Sequence, residues 1–275
     1  MAEIKASDVS KLRQLTGAGM MDCKKALKES DGDFDQAVEY IRKKGQAVAS
    51  KRSDREASEG AVLAKVSDDG KKGMIIVLNC ETDFVAKNDK FVAFAQSILD
   101  KALENNPENL EALANLEFEG NTIKEKITEQ IGVIGEKIEL SFYDKLEAET
   151  VIAYIHPGNK LASLVGFNKE NVELQVQKDI AMQVAAMDPV AIDKDGVPQD
   201  VIDRELEIGK DQAKQEGKPE NLWEKIAQGK LGKFMKEATL LNQQFIKENK
   251  KTVQQYLSEN DKDLKVVDFK RYSLS

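Results

Sequence analysis

Histidine and tryptophan occur once each in these 275 residues, cysteine twice and proline five times. With His156 as the sole imidazole, nucleophile–histidine–acid chemistry would rest on one residue. Cys23 and Cys80 are too few for a disulfide framework, and no C-x-x-C or histidine cluster supplies zinc ligands. Two free thiols fit a reducing, cytosolic compartment. No apolar run approaches the roughly 18 residues of a membrane span, and the start, Met1-Ala2-Glu3-Ile4-Lys5, has neither an apolar leader core nor the arginine-rich, acid-poor character of a transit peptide. Neither G-x-x-x-x-G-K-[ST] nor G-x-G-x-x-G is present, so no nucleotide cradle is recognisable in the chain itself. The net charge of −8 argues against general nucleic-acid binding and against an anionic membrane surface.

Leu, Ile, Val and Phe together number 71, enough to build a buried core. The length suggests about two domains at roughly 100–200 residues each. The first 55 residues read as three short helices and carry 12 basic against 9 acidic residues, so the acidity of the chain lies elsewhere. Ser7 is a candidate cap for a helix with Val9, Leu12 and Leu15, which Thr16-Gly17-Ala18-Gly19 stops. Asp22 is a candidate cap for a second helix with Ala26 and Leu27. Asp33 is a candidate cap for a third, with Ala37, Val38 and Ile41 on one face and Gly45 as its stop. The polar stretch from Gln46 to Glu59 reads as a linker.

The period then changes. Ala61–Ser67 and Met74–Cys80 predict a hairpin across Asp68–Gly73. A helix follows with Phe91, Phe94, Ala95, Ile98 and Ala102 in line, then one with Ile123, Ile127, Ile131 and Ile134, then a strand over Lys137–Tyr143. The same order recurs: a hairpin of Val151–Ile155 and Leu161–Phe167, a helix near Val172–Met187, a helix at Thr252–Glu259 and a strand at Leu264–Tyr272. Between the second half's helices, Asp193–Gly232 reads as an antiparallel helical hairpin, with Ile202, Leu206, Gly209 and Ala213 on one arm and Leu222, Ile226 and Gly229 on the other. It holds 10 acidic and 7 basic residues, which argues against an RNA contact. Trp223 lies beside that seam, partly exposed. The expected organisation is α+β: residues 1–56 a helical domain and linker, 57–146 and 147–275 two related α+β halves, and 193–232 the inserted hairpin.

Two segments are unusual. Glu81-Thr82-Asp83-Phe84-Val85 leaves an apolar strand, where loops prefer Gly, Asn, Ser and Asp. Phe84 there either folds into the core with Asp83 as a cap, or projects as a rigid aromatic anchor for a partner's pocket. Met20-Met21 after Gly-Ala-Gly either splits between core and surface or forms an adaptable apolar contact. Cys80, ending an apolar strand, reads as a small buried hydrophobe rather than a nucleophile.

Taken together, Thr16-Gly17-Ala18-Gly19-Met20-Met21-Asp22-Cys23-Lys24-Lys25-Ala26-Leu27 resembles the N-terminal signature of the elongation factor Ts family, and Asn79-Cys80-Glu81-Thr82-Asp83-Phe84-Val85-Ala86 its Thr-Asp-Phe-Val loop. Ile134-Gly135-Glu136, His156-Pro157-Gly158, Phe245-Ile246 and Lys251-Thr252-Val253 resemble further elements of the same family in the same order. The resemblance implies a ubiquitin-associated-like three-helix domain, a core of two α+β subdomains and an inserted coiled-coil hairpin. It implies guanine-nucleotide exchange on the GTPase elongation factor Tu in the bacterial cytoplasm, with no covalent chemistry, no cofactor or metal of the chain's own, and no nucleic acid or membrane as direct partner. Carried across by the motifs, Thr82, Asp83, Phe84 and Val85 form the loop that disturbs the partner's magnesium and phosphate site. Arg13, Met20, Met21, Lys24, Ile134, His156 and Ile246 take contact positions. Three departures stand out: Lys247 replaces an apolar residue after Ile246, Pro157 follows His156 where Gly often stands, and the sequence ends at Ser275 without the further helical module of some members. The rival reading is a ubiquitin-associated-like peptide-binding module on an unrelated scaffold. An enzyme using Cys80 and His156 is a third.

Overall fold

The computed structural model describes residues 4–274. The Met1–Glu3 part of the leader reading, and Ser275, lie outside the described residues. The N-terminal unit comprises α1 (Ala6–Thr16), α2 (Met20–Glu29) and α3 (Phe34–Arg52), packed around Val9, Leu12, Cys23, Ala26, Leu27 and Ala37. Gly17 ends α1 in the left-handed region, φ 70°, which a side chain disfavours, and its N–H donates to the Arg13 carbonyl.

Three expectations for this unit are corrected. Lys5 and Asp8, not Ser7, open α1. Gly19 is the N-cap of α2, and Asp22 pairs instead with Lys44 at 2.5 Å. Gly45 does not stop α3: the helix runs to Arg52, so the connection to the core is only Ser53–Ser58. Tertiary packing overrides the weak helix propensity of glycine. Gly45 lies where α3 crosses the helix bearing Gly132, and a Cβ on Gly132 would come within 2.5 Å of the Gly45 Cα.

The core follows in chain order as β1 (Glu59–Val66), β2 (Lys72–Cys80), α4 (Asp83–Ala86), α5 (Asp89–Asn105), α6 (Leu110–Ala114), the small pair β3 (Glu117–Phe118) and β4 (Asn121–Thr122), α7 (Ile123–Ile134) and β5 (Ile138–Glu147). Then come β6 (Thr150–Ile155), β7 (Leu161–Phe167), α8 (Leu174–Met187), α9 (Gln199–Gln215), α10 (Glu220–Ala238), the short β8 (Gln244–Phe245) and β9 (Glu248–Thr252), α11 (Val253–Asn260) and β10 (Val266–Ser273). Two three-stranded antiparallel sheets result, β1-β2-β5 and β10-β7-β6, each with the hairpin's second strand in the centre.

Side-chain alternation explains the layering. Val62, Ala64, Ile75 and Val77 on the first sheet meet Val151, Ala162 and Leu164 on the second. The opposite face of the first sheet, Ala61, Leu63, Ile76 and Leu78, is covered by Phe91, Ile98, Leu99, Ile123 and Ile127 from α5 and α7. The outer face of the second, Val165 and Phe167, is covered by Val176, Ile180 and Val184 of α8 and by Val253 and Leu257 of α11. Helices therefore flank a sheet-on-sheet sandwich. Burying these residues on both sheet faces, at about 25 cal/mol per Å² of apolar surface, is the main favourable term for the fold.

The insertion is a pair of packed helices, with Gly209 of α9 against Ala227 of α10. The second arm is longer than its sequence spacing indicated: α10 passes Gly229 and Gly232 and ends where Ala191 bridges Thr239 and the Val190 N–H donates to the Ala238 carbonyl at 2.8 Å. Trp223 is half-buried, as expected, its Nε1–H donating to the Lys218 carbonyl at 2.8 Å. Among the described residues no helix is long and apolar enough to cross a membrane.

Candidate partner-binding surface

β2 delivers the chain to Cys80, and α4 then makes a single turn before Asn88 caps α5 through the Lys90 N–H. Thr82 caps α4, its Oγ1 accepting the Val85 N–H at 3.4 Å. Successive helical positions point about 100° apart, so Phe84, Val85 and Ala86 cannot all three face the core. Val85 packs against the core and Ala86 is buried, which leaves Phe84 pointing outward with 83% of its surface exposed. The outward alternative for Phe84 is therefore the observed one. Asp83 lies beside it, and the Lys87 ammonium at 2.6 Å is the main cause that holds its carboxyl below the usual range, keeping it ionised.

The loop is tied down by carboxylates on both of its neighbours. Glu136, just past the Gly135 end of α7, accepts the Thr82 N–H at 3.0 Å and the Thr82 Oγ1–H at 2.7 Å. In return Glu81 accepts the Lys137 N–H at 2.6 Å and both contacts from Arg52 of α3 at 2.8 Å. Burial disfavours the Glu81 carboxylate, but the Lys137 N–H and the Arg52 guanidinium outweigh it and hold the pKa below the ordinary value of 4.5. A depressed carboxylate contributes stability that is fully present above 4.5 and is lost as pH falls through the lower folded value. Glu81→Gln should therefore lower the melting temperature at neutral pH, with the gap to the parent chain closing well below pH 4.5. An equal gap at both ends of a thermal-melt pH series would refute the assignment.

Cys80 is fully buried, its Sγ–H donating to the Thr82 carbonyl at 3.2 Å. Burial, with Glu136 and Glu59 adding to it, pushes the thiol up to about 12, so it is no nucleophile at neutral pH. His156 is exposed at the β6 end, and its Nδ1 meets the Tyr154 hydroxyl at 2.9 Å. The thiol and the imidazole are thus engaged separately, against the enzyme reading. The turn that follows His156 docks on the first half: the Asn159 carbonyl accepts the Val62 N–H at 2.7 Å, and Lys160 pairs with Glu59 at 2.8 Å while its charge also reaches Asp83. That docking brings the His156 turn to the same end of the sandwich as Asp83 and Phe84.

Ile134, half-buried at the end of α7, lines one cleft with Val85, Asn88, Phe91, Val133 and Gly17. Gly17 belongs to the first signature and Val85 to the second, so the two motifs meet across the gap between the N-terminal unit and the core. Arg13 and Lys24 are exposed, as are Met20 (57%) and Met21 (76%). Both methionines therefore lie at the surface rather than splitting between core and surface. Leu15, 69% exposed, lines a second cleft with Val38, Ile41, Phe94 and Val133. The sequence places Leu15 on the first helix with Val9 and Leu12, but only Val9 and Leu12 are buried.

Ile246 stands apart, in the β8–β9 hairpin of the second half, 41% exposed. Its N–H donates to Oε1 of buried Gln183 at 2.9 Å. Lys247, a departure from the family pattern, turns inward to Asp179 at 2.6 Å. Asp179 is buried and also accepts from the Tyr256 hydroxyl at 2.9 Å and from Gln175 at 2.7 Å. A buried carboxylate needs such partners, and Asp179 was not identified in the sequence because it lies between the apolar residues Val176 and Ile180. No group of three or more His, Cys, Asp or Glu side chains suited to a metal occurs among the described residues.

The family model for elongation factor Ts matches residues 81–275. Proteins named elongation factor Ts align over nearly all of the chain. The one from Christiangramia forsetii is 52% identical over 276 residues, covering 100% of both chains. That from Amoebophilus asiaticus is 55% identical over 271 residues, 98% of each. That from Porphyromonas gingivalis is 52% identical over 269 residues, 98% of this chain and 97% of the relative. With two signature motifs meeting at one cleft and a match of this extent, the chain belongs to the elongation factor Ts family.

Proposed function

We propose that the chain is a guanine-nucleotide exchange factor for elongation factor Tu, acting non-covalently in the bacterial cytoplasm during translation elongation. The observation that carries this reading is Phe84, an aromatic ring 83% exposed on a one-turn helix whose N-terminal edge, Glu81-Thr82, is bonded to Glu136-Lys137. A rigid exposed aromatic is suited to wedge between elements of a partner. Asp83 beside it supplies an ionised carboxylate, which Lys87 covers until docking. Disturbing the partner's magnesium coordination would weaken its hold on phosphate, because the ion bridges phosphate oxygens. Arg13, Met20, Met21 and Lys24 would grip the GTPase domain from the N-terminal side, with Ile134 and His156 completing the core contact. Ile246 would make a separate apolar contact, with Lys247 withheld from it by Asp179. The N-terminal unit serves as the family's ubiquitin-associated-like domain, and paired α9 and α10 as its coiled-coil insertion.

Exchange follows from linkage: a factor that prefers the nucleotide-free GTPase lowers nucleotide affinity by the same factor that nucleotide lowers its own. Calorimetry should accordingly give tight binding to nucleotide-free elongation factor Tu and markedly weaker binding to the GDP-bound form. Equal affinities would leave only the binding-module reading.

The helical insertion is expected to be dispensable for this step. Its arms pack on each other, and its two ends meet at the Ala191–Thr239 bridge, so residues 199–235 can give way to a short Gly/Ser linker. The variant should keep its circular dichroism melt for the core and most of its GDP-release activity. A folded variant without GDP release would make the insertion part of the mechanism.

A further inference from the structure

The clasp at the base of α4 is reciprocal. Glu81 and Thr82 leave the first sheet, and Glu136 and Lys137 enter β5 beside them. Each segment offers one carboxylate to the other's backbone: Glu136 takes the Thr82 N–H and Oγ1–H at 3.0 and 2.7 Å, and Glu81 takes the Lys137 N–H at 2.6 Å. Arg52, at the last position of α3, closes the arrangement on Glu81 at 2.8 Å. Thr82 is also the cap of α4, so the torsions of Thr82 set the phase of the turn that carries Phe84. None of Glu81, Glu136 and Arg52 is exposed in the manner of Phe84: Glu81 is 16% exposed and Arg52 36%.

We propose that Glu136 is a positioning residue that fixes Thr82 and thereby the direction in which Phe84 is presented, and that Arg52, through Glu81, ties this presentation to the docked N-terminal unit. The role rests on the functional reading above, and it acts by pre-organisation: a side chain held in its bound direction loses less freedom on docking. The carboxylate is needed for its shape more than its charge. In Glu136→Gln the amide oxygen still accepts the Thr82 N–H and the amide nitrogen can donate to Thr82 Oγ1, which also accepts. In Glu136→Ala both partners are lost.

A double-mutant cycle with Phe84→Ala separates positioning from general stabilisation, because residues that act through each other are non-additive while independent sites add. The readout is Kd for nucleotide-free elongation factor Tu, with the melting temperature measured alongside. Glu136→Ala should weaken binding about tenfold in the parent chain but less than about twofold when Phe84 is already alanine, and Glu136→Gln should restore most of the loss. The same tenfold loss in both backgrounds, or no rescue by glutamine, would overturn the positioning role while leaving the exchange function standing. Failure of the parent chain to bind elongation factor Tu would overturn the functional reading first. A measurement on the parent chain alone guards against variants that do not fold. The Ala86 N–H, bonded to the Thr82 carbonyl at 3.2 Å, and the Lys87 N–H, bonded to the Asp83 carbonyl at 3.0 Å, should be protected from hydrogen exchange in the free protein. Rapid exchange at both would show α4 unfixed and would contradict the proposal.

Discussion

Phe84→Ala is expected to slow GDP release by about 30-fold, the equivalent of losing a hot-spot anchor worth about 2 kcal/mol, with almost no change in melting temperature. The separation of the two effects is the point. A buried phenylalanine cut to alanine costs about 3–5 kcal/mol of stability, but this ring is 83% exposed and the apolar work of its segment is done by Val85 and Ala86. Substitutions at such surface positions usually stay within about 0.5 kcal/mol. Val85→Ala should behave in the opposite way, lowering stability because Val85 packs against the first-half core. A large stability loss in Phe84→Ala, with activity falling in proportion, would mean that the ring is a core residue after all.

The second large effect is expected at Gly132. A methyl group there would lie 2.5 Å from the Gly45 Cα, which is backbone and cannot swing aside. Gly132→Ala should force α3 and α7 apart, at an overpacking cost of about 1–3 kcal/mol that exceeds the roughly 1 kcal/mol which alanine gains over glycine in a helix. The damage should spread, because α3 also presses Val48 and Ala49 on the core and holds Arg42 against Glu125 and Arg52 against Glu81. Gly45→Ala is the internal control: its nearest atom is the Thr128 carbonyl oxygen at 3.2 Å, so a shift of a few tenths of an ångström suffices. A hydrogen-exchange comparison of α3 in the two variants should show loss of protection in the first and near-parent protection in the second. Equal protection in both would mean that the helices do not cross at these glycines.

The same crossing shows where sequence reading succeeds and where it stops. The β-rich runs Ala61–Ser67 and Met74–Cys80 and the isoleucine stripe of α7 were legible as a hairpin and a helix because each depends on local period, whereas the packing of one sheet on the other was not, since both strands are buried on both faces. Gly45 looked like a stop because a helix terminus and a close helix crossing ask for the same residue, and only Gly132, distant in sequence, distinguishes them. The direction of Phe84 was equally undetermined locally: Phe84 or Val85 faces the core according to the phase of α4, and that phase is set from Glu136. The signature motifs gave roles to Asp83, Phe84, Met20 and Met21 but none to Glu81, which lies within the second motif, and they do not include Arg52 or Asp179; all three act by holding other residues. The inward turn of Lys247 depends likewise on Asp179 of α8, a carboxylate hidden in an apolar stripe.

The most direct test of the central claim is release of a fluorescent GDP from elongation factor Tu, followed in stopped flow against increasing concentrations of this chain in the presence of magnesium. The account predicts a release rate that climbs with concentration to a plateau far above the spontaneous rate, and a much flatter response for Phe84→Ala. A release rate that stays at the spontaneous value while the chain demonstrably binds elongation factor Tu would contradict it.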